Sequence, residues 1–177
     1  VRGIRRKNVG EFLLLSLLAP PQCYSGVTLR PTTPVEERSY DRWREVASQL
    51  APRAVFDAAH HPDVSFADNL AASRFVVSTS VAEGFGMAYL EPWLAHREVI
   101  ARRLGSVAED FEAAGVRFPK LYQALPIPGE RTWVNECQAE SRSVFKSSWR
   151  NVPDGFRPDS GSADTSDAES IDFAALT

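Results

Sequence analysis

Apolar positions along this chain switch between two periods. Short runs of strand-forming residues occur at 27–30, 53–56, 75–77 and 98–101, and between them apolar residues recur at three- and four-residue steps. Asn8 caps a helix running through Glu11, Leu14, Leu15 and Leu18, which Pro20 and Pro21 end. Residues 35–50 set Tyr40, Trp43, Val46, Ala47 and Leu50 on one helical face, with the aromatic pair read as core, and Pro52 stops that helix. A short helix spans 66–73. Met87, Leu90 and Leu94 begin another that continues through Ala95. Residues 106–114 are amphipathic and end at Gly115. Residues 120–125 read as a brief helix before a proline-rich link, and 129–149 as a long helix carrying Trp133, Val134, Cys137, Val144 and Phe145. Strand and helix in alternation predict an α/β fold, a doubly wound and mostly parallel Rossmann-like sheet, over residues 1–150. From Pro153 the composition turns to Gly, Ser, Asp and Ala, so 151–177 reads as an acidic linker or tail, with an apolar run at 171–176 that opens a following segment.

The stretch from Val76 to Glu91 organises the rest. Phe75, Val76 and Val77 suit a strand covered on both faces. Gly84 and Gly86 flank Phe85, so the backbone turns tightly there and a ligand can approach it closely. The helix that follows offers free N–H groups and a positive dipole end, which favour an anion. Glu83 sits at the lip of this turn. Glu91 lies inside the helix, roughly 7 Å along its axis at about 1.5 Å per residue. A phosphate flanked by hydroxyl-rich groups fits that spacing.

Glu83 and Glu91 with the intervening Gly84-Phe85-Gly86 resemble the E-x7-E signature of retaining glycosyltransferases of the GT-B fold, among them glycogen synthase- and sucrose synthase-like enzymes. A second element upstream, Arg2-x4-Lys7-Asn8, is similar to the R-x4-K-(N/G) motif after the first strand of that family's C-terminal domain. The resemblance implies the donor-binding half of such an enzyme. It implies that Arg2 and Lys7 clamp the donor diphosphate and that Glu83 contacts the donor sugar, these three being the catalytic residues. Gly84, Phe85, Gly86, Met87 and Glu91 then hold the donor, with Glu91 on the ribose hydroxyls. Arg5 and Arg6 are additional charges. Where the family usually carries A-x-G-x-P-V-V, this chain has Leu94, His96 and Glu98 at the Ala, Gly and Pro places.

The resemblance further implies transfer of a sugar from a nucleotide sugar to an acceptor sugar or other hydroxyl compound. It implies no cofactor and no metal, and no Asp-x-Asp is present. The partner half of the cleft, an acceptor-side domain, is expected before Val1. Within the same fold, a sugar phosphorylase or a nucleotide-sugar epimerase also reuses phosphate clamps. A noncatalytic Rossmann-like binding domain is the reading from another class. The lack of a G-x-G-x-x-G after a first strand argues against a dinucleotide dehydrogenase.

Composition narrows the partners. The 177 residues carry a net charge of −3, so no basic field argues for nucleic acid. No apolar run reaches membrane-spanning length. Cys23 and Cys137 form no ligand motif and read as free thiols, which points to a cytoplasmic setting. The adjacent His60 and His61 make a poor chelate and read as loop. Arg102 and Arg103 end a strand, facing either phosphate or, on the simpler reading, solvent. His96 reads as a cap or surface residue.

Overall fold

The computed structural model describes residues 3–60, 63–148, 150, 153 and 170–172. Two compact units divide the chain, 1–123 and 124–177.

In the first unit a single 3-10 turn, Arg5–Lys7, leads into α1 (Val9–Leu18). Then come β1 (Ser25–Gly26), α2 (Pro34–Leu50), β2 (Ala54–Val55), α3 (Phe66–Ala72), β3 (Phe75–Ser78), α4 (Met87–Leu94), β4 (Glu98–Arg102), α5 (Gly105–Ala113) and β5 (Leu121–Tyr122). β1 pairs with β2 in parallel, joined by α2. β3, β4 and β5 form a parallel sheet in that order, joined by α4 and α5. A helix between parallel neighbours is what the parallel ladder requires, since a tight hairpin cannot return the chain in the same direction.

The fold is therefore mixed α/β, with its parallel strands in sheets of two and three. The sequence predicts one larger sheet. In the described structure Gly3–Asn8 instead runs between the carboxyl ends of β1 and β3. The Gly3 N–H donates to the Leu29 carbonyl at 2.8 Å, and the Val81 N–H donates to the Arg6 carbonyl at 2.9 Å.

Two apolar clusters build this unit. Val9, Leu13, Ala47 and Ala51 form one, with Phe12, Trp43, Ala54 and Phe56 packed against it. Tyr89, Val99, Ala101 and Phe118 form the other, with Leu90, Leu104, Val107 and Phe111 among its neighbours. Tyr40 is buried as expected and meets Phe56 edge-on at 5.1 Å, whereas Val46 and Leu50 on the same helix stay exposed.

Two local expectations are corrected. Residues 120–125 are not helical: Leu121 and Tyr122 pair with Ala101 and Arg102 as the third strand. Six residues give too little periodicity to separate a helical turn from a two-residue strand, and pairing to β4 decides it. The strand expected at 27–30 forms its ladder earlier, at Ser25–Gly26, because that register lies opposite Ala54 and Val55.

The second unit holds α6 (Arg131–Ser148) and an antiparallel pair, β6 (Pro126–Pro128) with β7 (Ser170–Asp172). The proline-rich link is thus a strand. The prolines at its two ends are compatible with a two-stranded ladder, where each strand has a free edge. Trp149, most of the expected tail and the run at 173–176 lie outside the described residues. Among those described, no helix is long and apolar enough to cross a membrane.

Candidate functional site

The site is built where the turn before α1 meets the loop after β3. Asn8 adopts a left-handed conformation, φ 47°, closing the 3-10 turn and starting α1. Asparagine tolerates that region because its short polar side chain bonds locally. Here its Oδ1 accepts from the Glu11 N–H at 3.3 Å and caps the helix. The bend turns Lys7 toward β3.

Ser78, Thr79 and Ser80 carry the chain out of β3, and all three are buried. Thr79 Oγ1 donates to the Lys7 carbonyl at 2.7 Å and lies 3.0 Å from the Asn8 carbonyl, its second acceptor. With the Val81–Arg6 bond, these contacts stitch the two loops together. Lys7 Nζ donates to Glu83 Oε1 across 76 positions of sequence, and Ser80 Oγ donates to the same oxygen at 2.7 Å. Both charged side chains are largely buried, 14% and 8% exposed. Burial works against a charged Glu83. The hydrogen bonds from Lys7 and Ser80, with the nearby charges of Lys7 and Arg6, outweigh it and hold the carboxyl below its ordinary range.

The glycine turn follows. Gly86 takes φ +66° at the N-cap of α4, and a Cβ there would lie 2.2 Å from Val107 Cγ1. Glycine is therefore required twice, by conformation and by packing. Gly84 has open space around it. Phe85 projects from the turn at 89% exposure, and Met87 is exposed beside it in sequence. The leading N–H groups of α4 have no intrahelical acceptor. Glu91, in α4, is half-buried, and its carboxylate has no hydrogen-bond or ion-pair partner among the described residues.

The structure thus brings Lys7, Glu83 and the turn at Gly84–Gly86 together at the carboxyl end of β3. Among the described residues, no hydrogen bond or ion pair ties Glu91 to Lys7 or Glu83. Arg2 lies outside the described residues, as does His61. A cleft of about 40 Å³ opens beside Lys7, lined also by Gly3, Phe12, Val27, Val77 and Thr79. Arg5 and Arg6 are exposed, and the Arg5 N–H donates to Glu36 Oε2 at 2.9 Å. His96 is exposed with φ 55°, a left-handed residue ending α4.

Arg102 is the clearest departure from expectation. It is buried, with its Nη2 2.7 Å from Glu11 Oε2 and its Nε 3.2 Å from Glu11 Oε1. Glu11 is fully buried. Its carboxylate also accepts from the Tyr122 hydroxyl and, at 2.9 Å, from Asn8 Nδ2. Arg103 is paired as well, bidentate to Glu112 at 2.6 and 2.7 Å. Sequence reading placed Glu11 merely within a helix. The usable signal is a carboxylate inside an apolar stripe, which needs a buried cation, together with an arginine ending a covered strand.

Among the described residues, no group of three or more His, Cys, Asp or Glu side chains gathers as metal ligands. Comparison with protein-family models, with curated proteins and with solved structures finds no match for this chain.

Proposed function

We propose that this chain is the donor-binding half of a retaining glycosyltransferase of the GT-B type, built on one half of a doubly wound Rossmann-like fold. One observation carries the reading: Lys7 and Glu83, brought from distant parts of the sequence, meet at the carboxyl end of β3 next to a glycine turn that opens a helix. Open α/β sheets bind ligands at the carboxyl ends of their strands. A lysine, a carboxylate and helix-start amides in one place match an anion joined to a polyhydroxyl group.

In the reaction, the bond between the anomeric carbon and the diphosphate oxygen breaks, and the diphosphate leaves with the electron pair. The acceptor oxygen bonds to the anomeric carbon on the same face and passes its proton to an oxygen of the departing diphosphate. Lys7 and the turn amides stabilise the charge that develops on the leaving group. Glu83 receives sugar hydroxyls once the incoming phosphate draws Lys7 away from it. Glu91, with no hydrogen-bond or ion-pair partner among the described residues, takes the ribose hydroxyls. The cleft of about 40 Å³ is far smaller than the roughly 300–1,000 Å³ of an ordinary ligand pocket, so the donor lies across an open surface that a facing domain closes.

Calorimetric titration of this chain with UDP, GDP and ADP tests the proposal. One nucleotide should bind, weakly. Lys7→Ala should abolish that binding, and Glu91→Ala should weaken it. Binding indifferent to both changes, or no binding of any of the three, favours a noncatalytic binding domain. Robust sugar transfer by this chain alone would contradict the half-site reading.

A further inference from the structure

The quartet of buried Asn8, Glu11 and Arg102 with half-buried Tyr122 has no place in the chemistry above, and it is costly. Taking a carboxylate and a guanidinium out of water carries a desolvation penalty that their mutual attraction need not repay. Such a pair is weak grounds for stability and better grounds for a fixed geometry. What it fixes can be read from its bonds.

Glu11 is saturated. Oε1 accepts from Arg102 Nε and the Tyr122 hydroxyl, and Oε2 from Arg102 Nη2 and Asn8 Nδ2. Arg102 closes β4 and Tyr122 closes β5, so the carboxylate is anchored to the rigid three-stranded sheet. Arg102 Nη1 adds a bond to the Gln123 carbonyl at 2.9 Å. The remaining arm reaches Asn8, the residue that holds the left-handed bend immediately after Lys7. The Lys7 and Asn8 carbonyls are at the same time gripped by Thr79, the residue after β3.

We propose that Glu11 is a positioning residue for Lys7. The sheet holds Glu11 through Arg102 and Tyr122, Glu11 holds Asn8, and Asn8 sets the bend that directs the Lys7 ammonium at the Glu83 carboxylate and at any phosphate arriving there. The phosphate part of this inference rests on the function proposed above; the link from Glu11 to Lys7 does not.

The chain has three lysines, Lys7, Lys120 and Lys146, so side-chain NMR of lysine-labelled protein resolves the one in question. In the native chain the Lys7 signal should stand apart from Lys146 and respond to Glu83→Gln. In Glu11→Gln it should move toward the Lys146 position and lose that response, while Lys120, paired with Glu98 on the surface, stays in place. A merely structural loss would move all three or none. Should Glu11→Gln fail to fold, Asn8→Gly serves instead. It keeps a residue at ease in the left-handed conformation, leaves the Glu11–Arg102 pair intact and removes the link together with the Asn8 cap of α1, and it should give the same Lys7 shift. A Lys7 signal unmoved in the variant that folds overturns the proposal. Inorganic pyrophosphate is then titrated against the same signals, and the apparent affinity should fall roughly tenfold in the variant. If native Lys7 ignores pyrophosphate yet still shifts on Glu11→Gln, the positioning role stands and the donor-binding reading falls.

Discussion

The Glu83 carboxylate loses hydration on folding and is compensated by Lys7 and Ser80. Its folded-state pKa is depressed. Its contribution to stability is therefore fully present above the unfolded value, about 4.3, and is lost as pH falls through the lower folded value. Lys7→Met removes the main compensation and leaves the burial. The carboxyl should then titrate higher, and the acid-unfolding midpoint should move to higher pH. Stability at neutral pH should fall by about 2 kcal/mol. Urea denaturation repeated between about pH 3 and pH 7 measures both effects, and an unshifted acid limb would mean that Lys7 does not hold Glu83 in solution. Tyr89 is a second buried polar group with a different lesson. Burial raises its pKa, so it stays neutral, and its hydroxyl donates to the Arg102 carbonyl while accepting from the Leu104 N–H at 3.3 Å. Tyr89→Phe should cost about 1–2 kcal/mol at every pH in that range, with no pH-dependent component.

Among the elements, the turn between β3 and α4 separates what the fold needs from what a ligand needs. Gly86→Ala must place a Cβ against Val107 and Phe111 at φ +66°. Left-handed strain and overpacking together should cost about 2–4 kcal/mol, seen as a lower urea midpoint. Gly84→Ala meets open space at an ordinary φ and should change stability by less than about 0.5 kcal/mol. If the backbone at Gly84 touches the donor, the same change should still weaken nucleotide binding. This turn was legible in the sequence because glycines around an aromatic after a β-run leave few other options. The pairing of Lys7 with Glu83 was legible only as two matching motifs, since their separation carries no local signal. β5 was not legible: Leu121 and Tyr122 acquire strand geometry from β4, not from their own pattern. The burial of Arg102 was missed for a related reason, because its partner lies 91 positions away.

In the unit formed by residues 1–123, the two apolar clusters have a polar seam associated with them. Val9 and Leu13 belong to one cluster and sit on either side of Glu11 in sequence; Ala101 belongs to the other and precedes Arg102. Asn8, Glu11, Thr79 and Arg102, all buried, make up the seam. An apolar seam of the same volume would hold the clusters together at lower desolvation cost, so the ionic seam implies a demand other than stability. Substitutions of the pair separate the two demands. Arg102→Met leaves Glu11 buried without its cation and should cost about 3–5 kcal/mol in urea denaturation followed by far-UV circular dichroism. Adding Glu11→Leu removes the stranded charge, and the double variant should recover to within about 1–2 kcal/mol of the native chain. It should not recover the Lys7 environment, because Asn8 Nδ2 then has lost the carboxylate it donates to. A double variant both stable and native at Lys7 would make the seam a packing feature alone. One that is stable but altered at Lys7 would show the charge kept in the interior for the sake of the site at the end of β3.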